Sequence, residues 1–316
     1  MVMTESVVKT PALSARRTTR RRPGRGTQRR QSVTALAMVG PAVLLLILFF
    51  LIPVVLTFAL AFTNARLISP TPAHFTGLHN FRVLFDDPLF YKSLRNTLYF
   101  TAVVVPVQAG LALGLALLIN AKVKGVNFFR TIYFLPVITS MVVVSLLWEF
   151  MYQKTGLINH AISGLTFGHV HGPDWLANPH TAMPAIIALS VWQAVGFHMI
   201  IWLAGLQTIP AELYEAADLD GATGWGRFRY VTWPGLRHTR TFVLITITIA
   251  AFGLFVQVNV MTHGGPLDST STIVYQAINT GYAQQQTAYA SAMSLVFFAL
   301  VLAVSLIQRY LTREKD

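Results

Sequence analysis

Four polar side chains interrupt the apolar runs of the C-terminal half: Gln193 and His198 in one run, Gln257 and Asn259 in a later one. An amide or a neutral imidazole both donates and accepts, so these groups can pair with hydroxyls of a solute. Aromatic residues lie near them in sequence: Trp192, Phe197, Trp202, Phe252, Phe255 and Tyr289. Their flat faces can stack on C–H surfaces. Polar groups within long apolar helices are costly and face a cavity or a partner helix. Trp192, Gln193, His198, Gln257, Asn259 and Tyr289 are therefore the candidate lining of a solute pathway. The alternative at each position is a hydrogen bond between helices, worth about 0.6 kcal/mol on average.

Other chemistries are poorly served. The chain has no cysteine, which excludes disulfides and thiolate chemistry. Glu149 is the only acidic residue well inside an apolar block. It lies near the end of that block, within reach of Lys154, where an interfacial role is favoured over a proton relay. His160, His169, His171 and His180 cluster between residues 156 and 180. A His169-x-His171 pair could hold a metal, but Asp174 is the one nearby carboxylate. A solvated loop is the favoured reading there. Gly221, Gly224 and Gly226 follow no strand and lead to no Gly-Lys-Ser/Thr, so this chain is not expected to bind nucleotide. No catalytic residue, metal or resident cofactor is expected.

The elements that must position these residues are membrane spans. Hydrophobic residues make up 54% of the 316 and charged residues 11%, against roughly a quarter charged in soluble domains. The excess falls in six blocks, approximately Ala35–Phe62, Leu94–Ile119, Thr131–Tyr152, Met183–Leu206, Thr241–Thr262 and Thr287–Tyr310. About twenty apolar residues cross a bilayer as a helix. Uninterrupted runs without alternation argue for helices rather than a barrel. The expected fold is an all-α membrane protein of six transmembrane helices. The first block follows a long basic stretch and exceeds the 7–15-residue core of a signal peptide, so a retained anchor is expected despite Ala59-Leu-Ala61.

The net charge of +12 does not point to nucleic acid. Nine of the 24 Lys and Arg residues precede residue 35, without interleaved aromatics and directly before an apolar block. Such clusters are drawn to anionic lipid. With the N-terminus inside, 19 basic residues fall on cytoplasmic segments and 5 outside. The positive-inside rule therefore predicts both termini in the cytoplasm. Residues 1–34 read as a disordered basic tail, 35–311 as the transmembrane domain and 312–316 as a short cytoplasmic tail.

The same orientation puts a polar insert, about residues 207–238, on the cytoplasmic side. It contains Glu215-Ala216-Ala217-Asp218-Leu219-Asp220-Gly221 and Val231-Thr232-Trp233-Pro234. Pro210 suits the first position of a helix, and Glu212 and Glu215 suit its early turns. Gly221 suits its end, and 225–231 reads as a second short helix closed by Pro234. An ordinary capped connecting loop would share some of these features.

The full spacing resembles the Glu-Ala-Ala loop of ABC importer permeases. Gly221 is four residues after Ala217, Val231 ten after Gly221, and Pro234 three after Val231. Val231 and Trp233 are apolar replacements for the Ile and Leu of that pattern. Further segments carry the resemblance: Phe134-Leu-Pro136, Trp192 to Phe197, Ala204 to Pro210, Met261 to Thr270, and Tyr289 to Ala292. Together they are similar to the sugar and glycerol-phosphate branch of these permeases, over residues 35–311.

The resemblance implies a type I importer transmembrane domain in the bacterial cell membrane, with no catalytic site of its own. It implies a second homologous permease, two cytoplasmic ATPase subunits that hold ATP and Mg, and an external solute-binding protein. Glu215, Ala216, Ala217, Asp220, Gly221 and Pro234 would form the ATPase-coupling surface. The solute would be a sugar or sugar-like molecule, with glycerol-phosphate-type solutes less favoured. The competing readings are an ion-coupled secondary transporter, which lacks the buried acidic pairs it would need, and a membrane-embedded enzyme, which lacks a clustered constellation.

Overall fold

A computed structural model describes residues 37–69, 72–120, 125–170 and 172–312. The tails 1–34 and 313–316, and His171 of the suggested metal pair, lie outside the described residues. The chain divides into two units, Met1–Val55 and Leu56–Asp316. The first contributes most of helix α1, Ala37–Leu60, none of which is buried. A π-helical stretch, Ile47–Leu51, interrupts it just before Pro53. Proline brings no N–H, so a wider turn ahead of it re-routes the backbone bonds; Ile52 N–H donates to Ile47 O.

Among its described residues, the second unit is built of helices joined by loops, with one isolated bridge between Thr63 and Phe75. After α1 come α2 His79–Asp86, α3 Pro88–Asn120, α4 Val126–Ile138, α5 Met141–Met151, α6 Leu157–Leu165 and α7 Ala182–Leu206. Then follow α8 Ala211–Leu219, α9 Gly224–Arg227, α10 Arg237–Phe252, α11 Val256–Met261, α12 Ile273–Ile278 and α13 Thr287–Thr312. Among the described residues, five helical stretches are long and apolar enough to cross a membrane, or six if a bent pair counts as one.

The stretch expected as a span over 131–152 is sharply bent rather than one straight helix. Helices α4 and α5 meet at 98°. Pro136 cannot donate to the carbonyl four residues earlier, which weakens the last turn of α4. Thr139 and Ser140 then turn extended, at ψ 140° and 130°. The fifth block also breaks. Helix α10 stops at Gly253, and α11 resumes at Val256. The carbonyl of Leu254 in that gap accepts the Thr272 hydroxyl at 2.7 Å, so the break leaves it paired.

Helices α3 and α7 form the central pair, and α10 packs on α3. Small residues of α3, Ala109, Ala112 and Ala116, recur on one buried face. They allow close approach, the usual driving contact between helices in lipid. Ile186, Leu189, Met199 and Leu203 of α7 and Val243 and Ile247 of α10 complete that core. At one end, the segment after α11 is stapled to the start of α3. Ser93 and Ser271 hydroxyls lie 3.0 Å apart, and Asn96 donates to the carbonyls of Asp268 and Ser271 at 2.8 and 2.9 Å. Lys92 reaches the carbonyl of Leu267.

Candidate functional site

A cavity of about 170 Å³ lies among α3, α5, α7, α10 and α11. Five polar side chains line it: Gln108, Ser190, Gln193, His198 and Gln257. Ser190, Gln193 and His198 reach it from an arc of roughly 140° on α7, Ser190 between the other two. Gln108 Nε2 lies 2.8 Å from His198 Nδ1. The same Nδ1 lies 3.1 Å from Ala194 O, one turn earlier on α7, so it accepts from the amide when bare and donates to that carbonyl when protonated. Gln257 donates to Ser190 Oγ at 3.3 Å, and Ser190 donates on to Ile186 O at 2.7 Å. Gln193 donates to Pro136 O at 3.3 Å, one of the carbonyls beside the α4–α5 bend.

The structure therefore gathers Gln193, His198 and Gln257 around one cavity. In this conformation each also bonds another helix, the alternative that the sequence left open. The remaining candidates lie elsewhere. Trp192 is 44% exposed and lies tilted 5.3 Å from Trp148, on the row Trp148–Tyr152–Trp175. Asn259 is exposed. Tyr289 donates to Asp87 at 2.8 Å and packs beside Leu84 and Phe90. Gln108 and Ser190 were missed. Gln108 was detectable as the lone amide deep in an apolar run, whereas a serine carries no such contrast. Solute pockets commonly start near 300 Å³, so at about 170 Å³ the cavity is a polar wall, too small to enclose a disaccharide.

The insert at 207–238 folds into two short helical arms. Pro210 is the N-cap of α8 rather than its first residue, with ψ 135°. Gly221 ends α8 at φ +73°, and Ala222 N–H bonds back to Ala217 O at 2.9 Å. This is the left-handed helix stop that glycine makes without strain. Thr223 caps the second arm by accepting from Gly226 N–H at 3.2 Å. Helix α9 runs on through a π turn, Phe228–Thr232, into Trp233–Gly235. Pro234 thus lies inside the arm rather than closing it. As in α1, the π turn precedes the proline, and Trp233 N–H donates to Phe228 O. Leu236, buried, joins the arm to α10.

The two arms are tied together. Asp218 and Arg227 form an ion pair at 2.9 Å, and the Tyr214 and Thr232 hydroxyls are 3.1 Å apart. A recess of about 750 Å³ beside them is lined by Leu117, Asn120, Leu206, Tyr214, Trp225 and Phe228, so the ends of α3 and α7 meet the arms there. The opposite surface is open. No residue of α8 is buried. Glu215, Ala216, Asp220, Gly221 and Pro234 are exposed, and Ala217 is half-buried. Leu213 is 50% and Leu219 90% exposed. An apolar edge with small residues and carboxylates, held rigid from behind, suits docking by another protein. No group of three or more potential metal ligands is present among the described residues.

Residues 91–316 match the family described as "binding-protein-dependent transport system inner membrane component". The chain is 34% identical to the lactose transport system permease protein of Rhizobium radiobacter, over 91% of this chain and 97% of that one. It is 36% identical to the diacetylchitobiose uptake system permease protein of Streptomyces coelicolor, over 84% and 78%. Its fold superposes on a chain of a bacterial ABC transporter involved in import of the acidic polysaccharide alginate. The TM-score is 0.75 at 23% identity, covering 91% of this chain and 98% of that one.

Proposed function

The chain belongs to the family of binding-protein-dependent transport system inner membrane components, and we propose that it forms half of the sugar pathway of an importer driven by ATP hydrolysed on partner subunits. Family membership makes it a multi-pass permease subunit of the bacterial cell membrane rather than an enzyme or an ion-coupled carrier. The sugar class is supported by relatives whose names specify lactose, diacetylchitobiose and arabinooligosaccharides.

On this reading both termini and the 207–238 insert face the cytoplasm. A second permease completes the pathway, two ATPase subunits hold ATP and Mg below, and a solute-binding protein delivers above. The described helices form the body of a transmembrane domain over 35–311, flanked by cytoplasmic tails at 1–34 and 312–316. The observation that carries coupling is the unburied helix α8, with Glu215, Ala216, Ala217, Asp220 and Gly221 on an open surface. Four residues separate Leu206, at the end of α7, from the start of α8; a single one, Leu236, separates Gly235 from α10. Helices α7 and α10 both line the polar cavity. A push on the insert therefore acts on two cavity walls at once, with Pro234 and its π turn as the stiff link. Gln193, His198, Gln257 and Gln108 offer the solute hydroxyls their amides and imidazole once the walls part. Trp192, Asn259 and Tyr289 would serve only on surfaces completed by the second permease.

The test is affinity purification of the tagged chain from membranes, wild type beside Glu215→Lys. The expected result is an ATPase and a second permease on the wild type, with the ATPase reduced at least tenfold by the substitution. A folded wild type that transports sugar with no associated ATPase refutes the reading. An undiminished ATPase on the Glu215→Lys chain removes Glu215 from the docking surface.

A further inference from the structure

Arg95 sits in α3 on an outward stripe formed by Tyr91, Arg95, Leu98, Tyr99 and Ala102, all exposed and all at helical spacing. Among the described residues, no ion pair or hydrogen bond engages its guanidinium. It borders two depressions. One, of about 600 Å³, has a mixed lining, and there Arg95 is joined by Lys92, Asn96 and His180 beside Pro179, Met183 and Pro184. The other, of about 450 Å³, is an almost wholly apolar groove along α3, with Tyr91, Leu94, Leu98, Tyr99 and Ala102. A cationic basin thus opens directly onto an apolar furrow, with one unpaired arginine between them. Asp268 lies 4.0 Å from Lys92 and offsets that charge, but it does not reach Arg95.

The depth along the helix fits a lipid. Helix α3 has 33 residues, about 50 Å at 1.5 Å per residue. The hydrocarbon core is about 30 Å thick, so about 10 Å projects at each end. Arg95 is the eighth residue of α3, about 10 Å from its start, which is the boundary between head groups and acyl chains. Tyr91 and Tyr99 lie one turn to either side, at the level where membrane proteins carry aromatic belts. An arginine at this depth is expensive unless it meets a phosphate, which its planar fork can hold through two hydrogen bonds.

We propose that Arg95, with Lys92 and His180, binds the head group of an anionic phospholipid whose acyl chain lies in the groove over Leu94, Leu98 and Ala102. The basin is at the end of α3 opposite Asn120, which borders the recess beside the two-armed insert. The lipid therefore belongs to the leaflet remote from that insert. It would brace the junction where the 262–272 segment is bonded to α3 through Asn96 and Ser93.

The full chain, purified with whatever subunits accompany it, is stripped of lipid in detergent and examined by native mass spectrometry. The probes are phosphatidylglycerol, phosphatidylcholine of the same acyl composition, and inorganic phosphate. Wild type is expected to retain phosphatidylglycerol about tenfold better than phosphatidylcholine. Arg95→Gln should abolish the preference, Arg95→Lys should keep part of it, and Arg82→Gln, outside both depressions, should keep all of it. The wild-type comparison stands even if a variant fails to fold. Equal retention of the two lipids overturns the proposal. So does binding of inorganic phosphate that competes with the lipid on equal terms, which would make the basin a soluble-anion site. Burial of Arg95 against a co-purified subunit, seen as groove protection that survives complete delipidation, overturns it too.

Discussion

Gly196 is where the cavity can be opened by one methyl group. A Cβ built there would lie 1.9 Å from the carbonyl oxygen of Tyr133 and 2.7 Å from its carbon, whereas real Cβ atoms essentially never come within 3.0 Å. The obstacle is the backbone of α4, which cannot rotate aside as a side chain would. In Gly196→Ala, α4 must therefore retreat from α7 by about 1 Å. Overpacking costs about 1–3 kcal/mol, and a backbone obstacle belongs at the upper end. About 3 kcal/mol is roughly a hundredfold in the folded population, since every 1.4 kcal/mol is tenfold. The shift also strikes function. Gln193, one turn earlier on α7, donates to Pro136 O across the same seam, so the retreat breaks that bond and disturbs α5, whose Met141 lines the cavity. The assay is thermal melting of the purified chain in detergent beside sugar uptake in cells. Gly110→Ala is the control, because nothing lies within 4 Å of its Cβ position. Gly196→Ala should melt several degrees lower and lose most uptake, while Gly110→Ala holds or gains stability. A Gly196→Ala chain with wild-type melting and uptake would show that α4 and α7 are not in backbone contact, and the claim that this seam supports the cavity would fail with it.

Two further expectations concern the polar wall and the insert. Gln108→Leu and His198→Leu each strand a buried partner 2.8 Å away, so each should cost about 1 kcal/mol. The double variant should recover about 0.6 kcal/mol of their sum, read from a double-mutant cycle of melting curves; strict additivity would deny the contact. Gly221→Val places a β-branched residue at φ +73°, a strain of about 1–3 kcal/mol. It should reduce co-purified ATPase several-fold without lowering the melting of the transmembrane helices. Gly224→Ala, at ordinary φ in open space, should do neither, and equal effects from the two would remove the helix stop from the mechanism.

What the sequence disclosed follows from what leaves a one-dimensional trace. Span length does: the last block, 287–310, coincides with the observed span, and the fourth differs by one residue. The stop at Gly221 does too, because a left-handed residue after a helix favours one amino acid. The break at Thr139–Ser140 left only a trace. Pro136 marked the place, but Pro106 lies inside α3 without ending it, so proline alone does not separate a kink from a 98° turn. The distant partner leaves no local trace: besides Thr139 N–H, the carbonyl of Pro136 accepts from Gln193, 57 residues later in the chain. The same holds for Pro234. The sequence offered it as a terminator, yet a π turn ahead of it carries the helix through.

The polar residues make the point most sharply. Gln193, Gln257 and Asn259 looked alike in sequence, as amides in apolar runs. Gln257 and Asn259 are two residues apart on α11, and two residues on a helix point about 200° apart. One of them can face the cavity beside Ser190, and the other must then face away, as the buried Gln257 and the exposed Asn259 do. Choosing between them required knowing which side of α11 meets α7, and a six-residue helix after a break gives too short a periodicity to tell. Gln108 is the opposite case. It sits on a 33-residue helix whose buried face recurs at Val104, Ala112 and Ala116, and at that spacing it could face nowhere but inward. A polar residue on a long helix can thus be placed from its apolar neighbours alone, whereas one on a short helix is placed by its contacts.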